Sequence, residues 1–384
     1  MMATRRRMRR GALAATLALV LAAALAACGS SSDDDKKSSG SSSLTPIKLQ
    51  LQWYAQAQFA GYYAAVDQGY YKDEGLDVSI VEGSADIVPI DVLTAGDVDY
   101  AISWVPKVLG SIEQGAGVTD VAQIFERSAT TQISFKDKGI TSPADLKGRS
   151  VGSWGYGNEW ELFAGMQKDG VGLKDIDLVQ QAFDMNGFLA GDIDAAQAMT
   201  YNEYAQVLET KNPKTGKLYT PDDLNVINWN DVGTAMLQDA IWAPSDKLKD
   251  QAFADQTVKF IKASIKGWVY VRDHPEEAAK IVTAAGSQLG ESHQLWMTNE
   301  VNKLIWPSTS GVGHVNEDQW KQTVDMAMGT KNDQDKTIIS KEPPSTAYSN
   351  EYVDKALDEL KSEGVDVDGK DFQPTTVTLN EGGK

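Results

Sequence analysis

Aromatic rings and hydrogen-bonding side chains recur together in four short stretches of this sequence. The first, WYAQAQFAGYY at 53–63, has five aromatic residues among eleven, although aromatic residues make up only 8% of the chain. In the other three, Trp or Tyr stands beside Ser, Asn or Glu. Such rings stack on flat molecules, and amide, hydroxyl and carboxyl groups bind the edges of those molecules. The candidate ligand-binding residues are Trp53, Tyr54, Gln58, Phe59, Ser103, Trp104, Trp154, Tyr156, Asn158, Glu159, Tyr201, Asn202 and Glu203.

Some residues in these stretches have an alternative role in the core or at a helix end. Tyr62 and Tyr63 lie inside a predicted helix, where core packing is favoured. Trp53 ends a predicted strand, which is equally compatible with core packing and with ligand contact. Glu159 and Glu203 stand where helices begin, and carboxylates there also stabilise the helix dipole. The pattern leaves both roles open for these last three residues.

Residues suited to catalysis or metal binding are scarce. The three histidines, His274, His293 and His314, are far in sequence from the aromatic stretches, and Cys28 is the only cysteine. The sequence contains no GxxxxGK[ST] phosphate-binding loop, and no Ser/His/Asp set can be placed. We therefore predict no catalytic residues, no metal site and no cofactor, which indicates a protein that is not an enzyme.

The charges near the aromatic stretches favour an uncharged ligand. The turns after the predicted strands contain no Arg or Lys, and Lys107 and Arg127 are the nearest in sequence. Sulfonates and phosphates usually recruit arginine, although helix N-termini can bind anions without it. These residues favour a flat, neutral or weakly basic ligand with several hydrogen-bonding edges, such as a nitrogen heterocycle.

Predicted strands and helices alternate along the chain, which is typical of parallel βαβ units. The aromatic stretches fall in turns after the strands, where ligands bind in open parallel sheets. The sequence GDIDAA at 191–196 echoes GDVDYA at 96–101, and both follow a helix and open a strand. We therefore predict an α/β protein of two lobes with like topology, each a mostly parallel sheet flanked by helices. The predicted strands are 47–53, 76–81, 98–103, 149–154 and 177–183; the predicted crossovers are 124–139 and 234–244; and the predicted lobes are 44–130 with 240–384, and 131–239.

The N-terminal region predicts export and lipid attachment. Five arginines precede a short apolar run that ends in LAAC, the layout of a bacterial lipoprotein signal. The predicted signal peptide is 1–27, lipidated Cys28 would follow it, and the Ser-rich segment 28–43 would be a disordered tether. Loss of the five arginines takes the net charge from −18 to −23, and such an acidic surface repels nucleic acid.

Four stretches of the chain resemble a known family. They are QWYAQAQFAGYYAAVDQGYYKDEGLDVSI, LTAGDVDYAIS, SPADLKGRSVGSWGYGNEWEL and GDIDAAQAMTYNEYAQVLE, within a match from about Ile47 to Pro275. Together they resemble the thiamine-pyrimidine-synthase-like branch of type II solute-binding proteins. The resemblance implies the type II periplasmic-binding-protein fold, whose two lobes are joined by two crossover hinges and close on the ligand.

The resemblance also implies a function. It indicates a monomeric lipoprotein, anchored on the extracytoplasmic face of the cell membrane, that delivers its ligand to an ABC permease and ATPase. Members close to this pattern bind formylaminopyrimidine or riboflavin, and more distant relatives bind alkanesulfonates or nitrate. The expected ligand is therefore a heterocycle of the thiamine-precursor or riboflavin type, with an alkanesulfonate or another small solute as the alternative.

One branch of the same family is an enzyme, which gives a second hypothesis. It builds the thiamine pyrimidine from pyridoxal phosphate and a histidine of its own chain. Its cofactor lysine and sacrificed histidine correspond here to Ser103 and Lys107. Ser103 lacks the amine for a Schiff base and Lys107 lacks the imidazole, so the resemblance favours a binding protein over this enzyme.

Overall fold

A computed structural model describes residues 43–384, and the predictions for the signal peptide, Cys28 and the tether up to residue 42 lie outside it. The described strands form two five-stranded sheets. The first contains β1 (Thr45–Gln50), β2 (Leu76–Val81), β3 (Tyr100–Trp104), β4 (Val118–Gln123) and β10 (Asp239–Pro244); the second contains β5 (Thr130–Phe135), β6 (Ser150–Ser153), β7 (Asp177–Gln180), β8 (Ala195–Met199) and β9 (Leu224–Asn228).

The two sheets share one topology. Their strand orders are β2-β1-β3-β10-β4 and β7-β6-β8-β5-β9. β10 runs antiparallel to both of its neighbours, and so does β5, whereas the remaining neighbours pair in parallel. The predicted two-lobed α/β fold with mostly parallel sheets is confirmed. We call the first sheet with its helices lobe 1 and the second sheet with its helices lobe 2.

Helices cover both faces of each sheet. Along β3, Tyr100 and Ile102 join an apolar cluster on one face, whereas Ala101 joins a second cluster on the other. Successive residues of a strand point to opposite faces, so one strand serves both clusters. The described α-helices are α1 (Ala60–Asp67), α2 (Tyr70–Asp73), α3 (Pro89–Ala95), α4 (Val105–Glu113), α5 (Trp160–Lys168), α6 (Asn186–Ala190), α7 (Glu203–Leu208), α8 (Trp229–Val232), α9 (Gln251–Asp273), α10 (Pro275–Ala284), α11 (Glu291–Ile305), α12 (Glu317–Gly329) and α13 (Glu351–Ser362).

The long C-terminal helices belong to lobe 1. α9 packs on α1, and a methyl group at Gly267 of α9 would overlap the carbonyl of Gly61 of α1, so the two helices need glycine at this crossing. Among residues 43–384, no helix is both long enough and apolar enough to cross a bilayer.

The two crossovers are shorter than predicted. Six of the 16 residues of the segment 124–139 form the strand β5, and six of the 11 residues of the segment 234–244 form the strand β10. Each of these strands lies between two neighbours in its sheet, which the apolar pattern of an isolated segment does not reveal. The chain therefore passes between the lobes only at 124–129 and 233–238.

One carboxylate of lobe 2 holds both crossovers. The side chain of Glu161 in α5 accepts a hydrogen bond from Met236 N at 2.6 Å and from Ser128 Oγ at 2.9 Å. Helix α12 of lobe 1 also contacts the second crossover, because Leu237 N donates to Thr323 Oγ1 at 2.9 Å. The crossovers are thus tied to both lobes at defined points.

The internal repeat has a structural basis. Gly96 and Gly191 both end a helix with positive φ, at 83° and 85°. Asp99 then exchanges hydrogen bonds with Lys48 of β1, through its backbone N–H and its carboxylate, each at 3.0 Å. Asp194 does the same with Ser150 of β6, at 2.9 and 3.2 Å. The repeated Gly-Asp-x-Asp therefore joins the third strand of each lobe to the first.

Candidate ligand-binding site

A buried carboxylate organises the lobe-1 side of the cleft. Asp239, which is 2% exposed, begins β10 beside the end of β3. Its Oδ1 accepts from Trp104 Nε1 at 2.7 Å and from Gln52 Nε2 at 2.8 Å, and its Oδ2 accepts from Gln58 Nε2 at 2.9 Å. Burial raises the pKa of Asp239 to about 7, against these three hydrogen bonds and the charge of Lys107. Asp239 thus fixes Trp104 and the turn after β1.

Aromatic rings from both lobes meet across the cleft. The ring of Trp53 in lobe 1 lies 4.9 Å from the ring of Phe183 in lobe 2, measured between centroids. Phe183 in turn stacks on Trp154, at 6.2 Å and an interplanar angle of 18°. Trp154 is 2% exposed, and no described residue accepts a hydrogen bond from its Nε1. Tyr54 packs edge-on against Trp53 but is itself 43% exposed, which places it at the rim.

The turn after β6 presents its backbone to the cleft and its tyrosine to solvent. Gly155, Tyr156 and Gly157 all have positive φ, at 66°, 53° and 84°. This conformation turns Tyr156 outward, and 86% of its surface is exposed. Asn158 Nδ2 donates to Gly155 O at 2.7 Å, and Glu159 Oε2 accepts from Gly157 N at 2.9 Å. These two polar side chains therefore stabilise the turn itself.

Lys107 of α4 lies against this turn. Its ammonium nitrogen is 4.8 Å from the centroid of the Trp104 ring. A Cβ at Gly157 would lie 3.6 Å from Lys107 Cγ, so the lysine stem passes the backbone of lobe 2. Burial lowers the pKa of Lys107 to about 8, although the nearby charges of Glu159 and Asp239 oppose that shift. Lys107 therefore places a positive charge in the cleft, although the turns after the predicted strands contain no Arg or Lys.

The second candidate stretch of lobe 2, Tyr201 to Glu203, is buried. Tyr201 is 2% exposed, and its pKa is raised by burial and then by the charges of Asp239 and Glu203. Glu203 accepts from Met199 N at 3.0 Å and from Asn202 Nδ2 at 2.9 Å. Asn202 Oδ1 lies 3.0 Å from Nε2 of His293 in α11. Asn202 therefore joins lobe 2 to the C-terminal helices of lobe 1, and Glu203 holds Asn202 from within lobe 2.

Two other candidates lie inside lobe 1. Phe59 is fully buried in the core cluster that contains α1 and α9. Ser103 is 3% exposed, and its carbonyl accepts from Trp242 Nε1 at 3.0 Å. The candidates that the structure brings together at the cleft are Trp53, Gln58, Trp104, Trp154, Glu159 and Tyr201, joined by Gln52, Lys107, Phe183 and Asp239.

A cavity between the lobes marks the inner end of this site. It is lined by Trp104 and Pro106 of lobe 1, by the turn and helix at 157–161 of lobe 2, and by the second crossover at 236–238. Its cavity volume of about 10 Å³ is room for about one water molecule and far below the roughly 300–1,000 Å³ typical of ligand pockets. A heterocycle therefore needs the lobes to move apart before it can enter.

Neither Asp239 nor Phe183 was among the predicted site residues. Asp239 lies in a segment that the sequence assigns to a crossover, and Phe183 ends a predicted strand. The usable signal for Asp239 was the carboxylate inside the apolar run MLQDAIWAP, because an acid in a buried segment needs donors nearby. Among residues 43–384, no cluster of His, Cys, Asp and Glu has the arrangement of a metal site.

The buried acids of this region predict a pH-dependent stability. Burial raises the pKa of Glu126, Glu161, Glu203 and Asp239 to about 7 each. The folded state holds these protons more tightly than the unfolded chain, whose carboxyl pKa is about 4. The free energy of unfolding should therefore fall as the pH rises from about 4 through 7. We expect it to be at least about 2 kcal/mol lower at pH 8 than at pH 5.5.

Urea denaturation at pH 5.5 and pH 8 measures this difference. Asp239→Asn is the control, since it removes one titrating group and should remove part of the pH dependence. Equal stability at both pH values, or greater stability at pH 8, would contradict the burial of these acids.

The described chain has the two-lobed fold of periplasmic binding proteins, with a cleft between two lobes of like topology. It is similar to the periplasmic aliphatic sulphonate binding protein SsuA from Escherichia coli, with a TM-score of 0.55 and 16% identity over 87% of this chain and 94% of that one. At this identity the likeness shows the fold alone.

Sequence comparison shows the family. Residues 56–278, more than half of the chain, match the family described as NMT1/THI5 like, and this protein belongs to that family. The Formylaminopyrimidine-binding protein of Halalkalibacterium halodurans is 24% identical over 242 residues, which are 62% of this chain and 70% of that protein. The 4-amino-5-hydroxymethyl-2-methylpyrimidine phosphate synthase of Aspergillus parasiticus is 23% identical over 241 residues, 62% of this chain and 69% of that protein. The relatives thus include both a binding protein and an enzyme.

Proposed function

We propose that this protein is the extracytoplasmic substrate-binding lipoprotein of an ABC importer, attached through Cys28, and that it captures an aromatic nitrogen heterocycle between its lobes. The observation that carries the proposal is the meeting of Trp53, Phe183 and Trp154 across the cleft. The turn that contains Trp53 is held to Asp239 through Gln52 and Gln58. Rings stack on a flat ligand, and the free capacity of Asp239 Oδ2 can accept one N–H from its edge. Closure of the lobes would couple capture to docking on the permease.

The arginines of the described chain argue against a sulfonate or phosphate ligand. It has three arginines, and each is engaged away from the cleft. Arg127 binds the carbonyl of Pro307, Arg149 binds that of Lys138, and Arg272 pairs with Asp273. Among residues 43–384, no arginine is therefore available in the cleft for the bidentate contact that usually binds such anions.

The synthase of the same family supplies a second candidate function. Its reaction requires pyridoxal phosphate bound through a lysine and a histidine beside it, and the residues here do not fit that cofactor. Ser103 stands at the Schiff-base position, and the imidazole of His293 is engaged by Glu209 at 2.8 Å and by Asn202. Lys107 carries an amine in the cleft, so incubation with pyridoxal phosphate is a fair test. We expect no imine absorbance and no modified histidine.

Titration of the purified mature chain tests the binding function. The panel is riboflavin, thiamine and aminopyrimidines, set against alkanesulfonates, and the readouts are calorimetry and thermal shift. We expect saturable binding of at least one heterocycle and none of the alkanesulfonates. A clear response to alkanesulfonates with no response to any heterocycle would contradict the proposal that the ligand is a heterocycle.

A further inference from the structure

The C-terminal segment, residues 373–384, lies along helix α11 of lobe 1. Its Thr375 N donates a hydrogen bond to Asn299 Oδ1 in α11 at 2.8 Å. Near its end the segment approaches the start of α11 closely, because a Cβ at Gly290 would lie 2.1 Å from the carbonyl oxygen of Gly383. Within the segment only Gly383 is buried, so the segment follows the surface of lobe 1 and is not part of its core.

The same segment also contacts lobe 2. Gly382 N donates to the carbonyl oxygen of Glu209, at the end of α7, at 3.1 Å. Leu379 packs against the apolar cluster that α6, α7 and β8 form in lobe 2. Glu381 pairs with Lys211 at 2.5 Å, although both side chains are exposed and such pairs contribute little. The segment therefore bridges the two lobes at a place that neither crossover occupies.

A buried hydrogen bond between the lobes lies directly under the end of this segment. Nδ1 of His293 in α11 is 2.8 Å from Oε1 of Glu209, and the two residues are 1% and 6% exposed. A Cβ at Gly383 would lie 3.0 Å from Glu209 Oε2 and 3.1 Å from His293 Cβ, so the backbone passes over both side chains. Because hydrogen bonds are stronger where water is excluded, the segment stabilises this contact as well as adding its own.

We propose that residues 373–384 form a strap that restrains the opening of the cleft and holds the lobes together in the absence of ligand. Hinge motion at the two crossovers separates α7 from α11. The strap lies along α11 and moves with lobe 1, whereas Glu209 and Lys211 move with lobe 2. Opening therefore has to release the strap from lobe 2 and expose the contact between His293 and Glu209 to water. The inference goes beyond the proposed function, since it depends on no particular ligand.

Small-angle X-ray scattering of the mature chain without ligand tests the strap. One variant ends at Phe372, and the other is Gly383→Asn, whose side chain would overlap Glu209 and His293. The control is Gly382→Asn, because Gly382 also has a positive φ, 67° against 72° at Gly383, but a Cβ there would meet nothing within 4 Å. Asparagine tolerates this backbone conformation, so the two substitutions differ mainly in the space around the new side chain.

We expect the radius of gyration of the truncated chain and of Gly383→Asn to rise by about 1 Å, from about 20 Å for a compact chain of this length. Gly382→Asn should scatter like the wild type. Removal of surface residues alone would lower the radius, so a rise in the truncated chain reports separation of the lobes. Circular dichroism and thermal denaturation check that each variant is folded.

The outcomes are independent of the proposed function, because no ligand is added. An unchanged radius in the folded truncated chain would overturn the inference, and so would a wild type whose scattering already matches separated lobes. Equal radii for the two asparagine variants would overturn the role assigned to Gly383. Failure to bind any heterocycle would overturn the proposed function and leave the strap standing.

Discussion

Replacing Asp239 by alanine should destabilise the folded protein by about 3–5 kcal/mol and abolish ligand binding. The carboxylate is the shared acceptor of Trp104 Nε1, Gln52 Nε2 and Gln58 Nε2. Its loss leaves buried donors unsatisfied, at a cost of about 1–3 kcal/mol for each group that water does not reach. Binding should fail for a separate reason, since the ring of Trp104 and the turn at Gln58 lose the group that positions them.

Urea denaturation and calorimetry measure the two effects separately. Asp120→Ala is a matched control, because Asp120 is also a fully buried carboxylate of the first sheet, but it accepts from Ala122 N, outside the cleft. We expect Asp120→Ala to be destabilised while its affinity stays within about 2-fold of the wild type. Asp239→Asn should be intermediate in both measurements, since it keeps one oxygen acceptor. Unchanged ligand affinity in Asp239→Ala would show that Asp239 takes no part in ligand binding.

Replacing Phe183 by alanine should weaken ligand binding about 10- to 100-fold with little change in stability. Phe183 is the lobe-2 ring that meets Trp53 of lobe 1, so its loss removes an aromatic contact made across the cleft. Aromatic pairs contribute about 0.5–1.5 kcal/mol beyond their buried area, and the ligand loses a stacking surface as well. Because the side chain is 41% exposed, the free energy of unfolding should change by less than about 1.5 kcal/mol.

Calorimetry and small-angle scattering with and without ligand test this expectation. Leu178→Ala is the control, since Leu178 lies in lobe 2 with the same 41% exposure but belongs to strand β7. It should bind and compact on ligand addition like the wild type. Phe183→Leu, which keeps an apolar contact, should have a ligand affinity between those of the wild type and Phe183→Ala. Equal affinities for Phe183→Ala and Leu178→Ala would show that the ring takes no part in binding.

Local sequence was sufficient to predict the two lobes and the strands that pair in parallel within them. The repeated Gly-Asp-x-Asp marks the same strand of each lobe, because the helix end and the carboxylate bond to the first strand both depend on those residues. The strands β5 and β10 were hidden, since each pairs with segments distant in sequence and their central place depends on that pairing. The crossovers end where β5 and β10 begin, at Thr130 and Asp239, so the predicted crossovers were too long.

The site residues that could be predicted are those whose position depends on residues nearby in the sequence. The turns after the strands place Trp53, Trp104 and Trp154 at the cleft, as parallel sheets require. Tyr156 faces outward because it and the two glycines beside it share the left-handed backbone conformation. The number of aromatic residues in the stretch does not reveal this orientation.

Long-range partners account for what local patterns missed. Asn202 reaches His293, which is ninety-one positions away. The importance of Asp239 likewise depends on Trp104 and on two glutamines from another strand-to-helix turn.

A crystal structure of the mature chain with the tightest-binding heterocycle would locate the ligand. We expect ring density between the lobes, stacked on Trp104 or on the Trp53–Phe183 pair, with an N–H edge of the ring bound by Asp239. Ligand density elsewhere on the surface, or a sulfonate or phosphate group held in the cleft, would contradict this expectation.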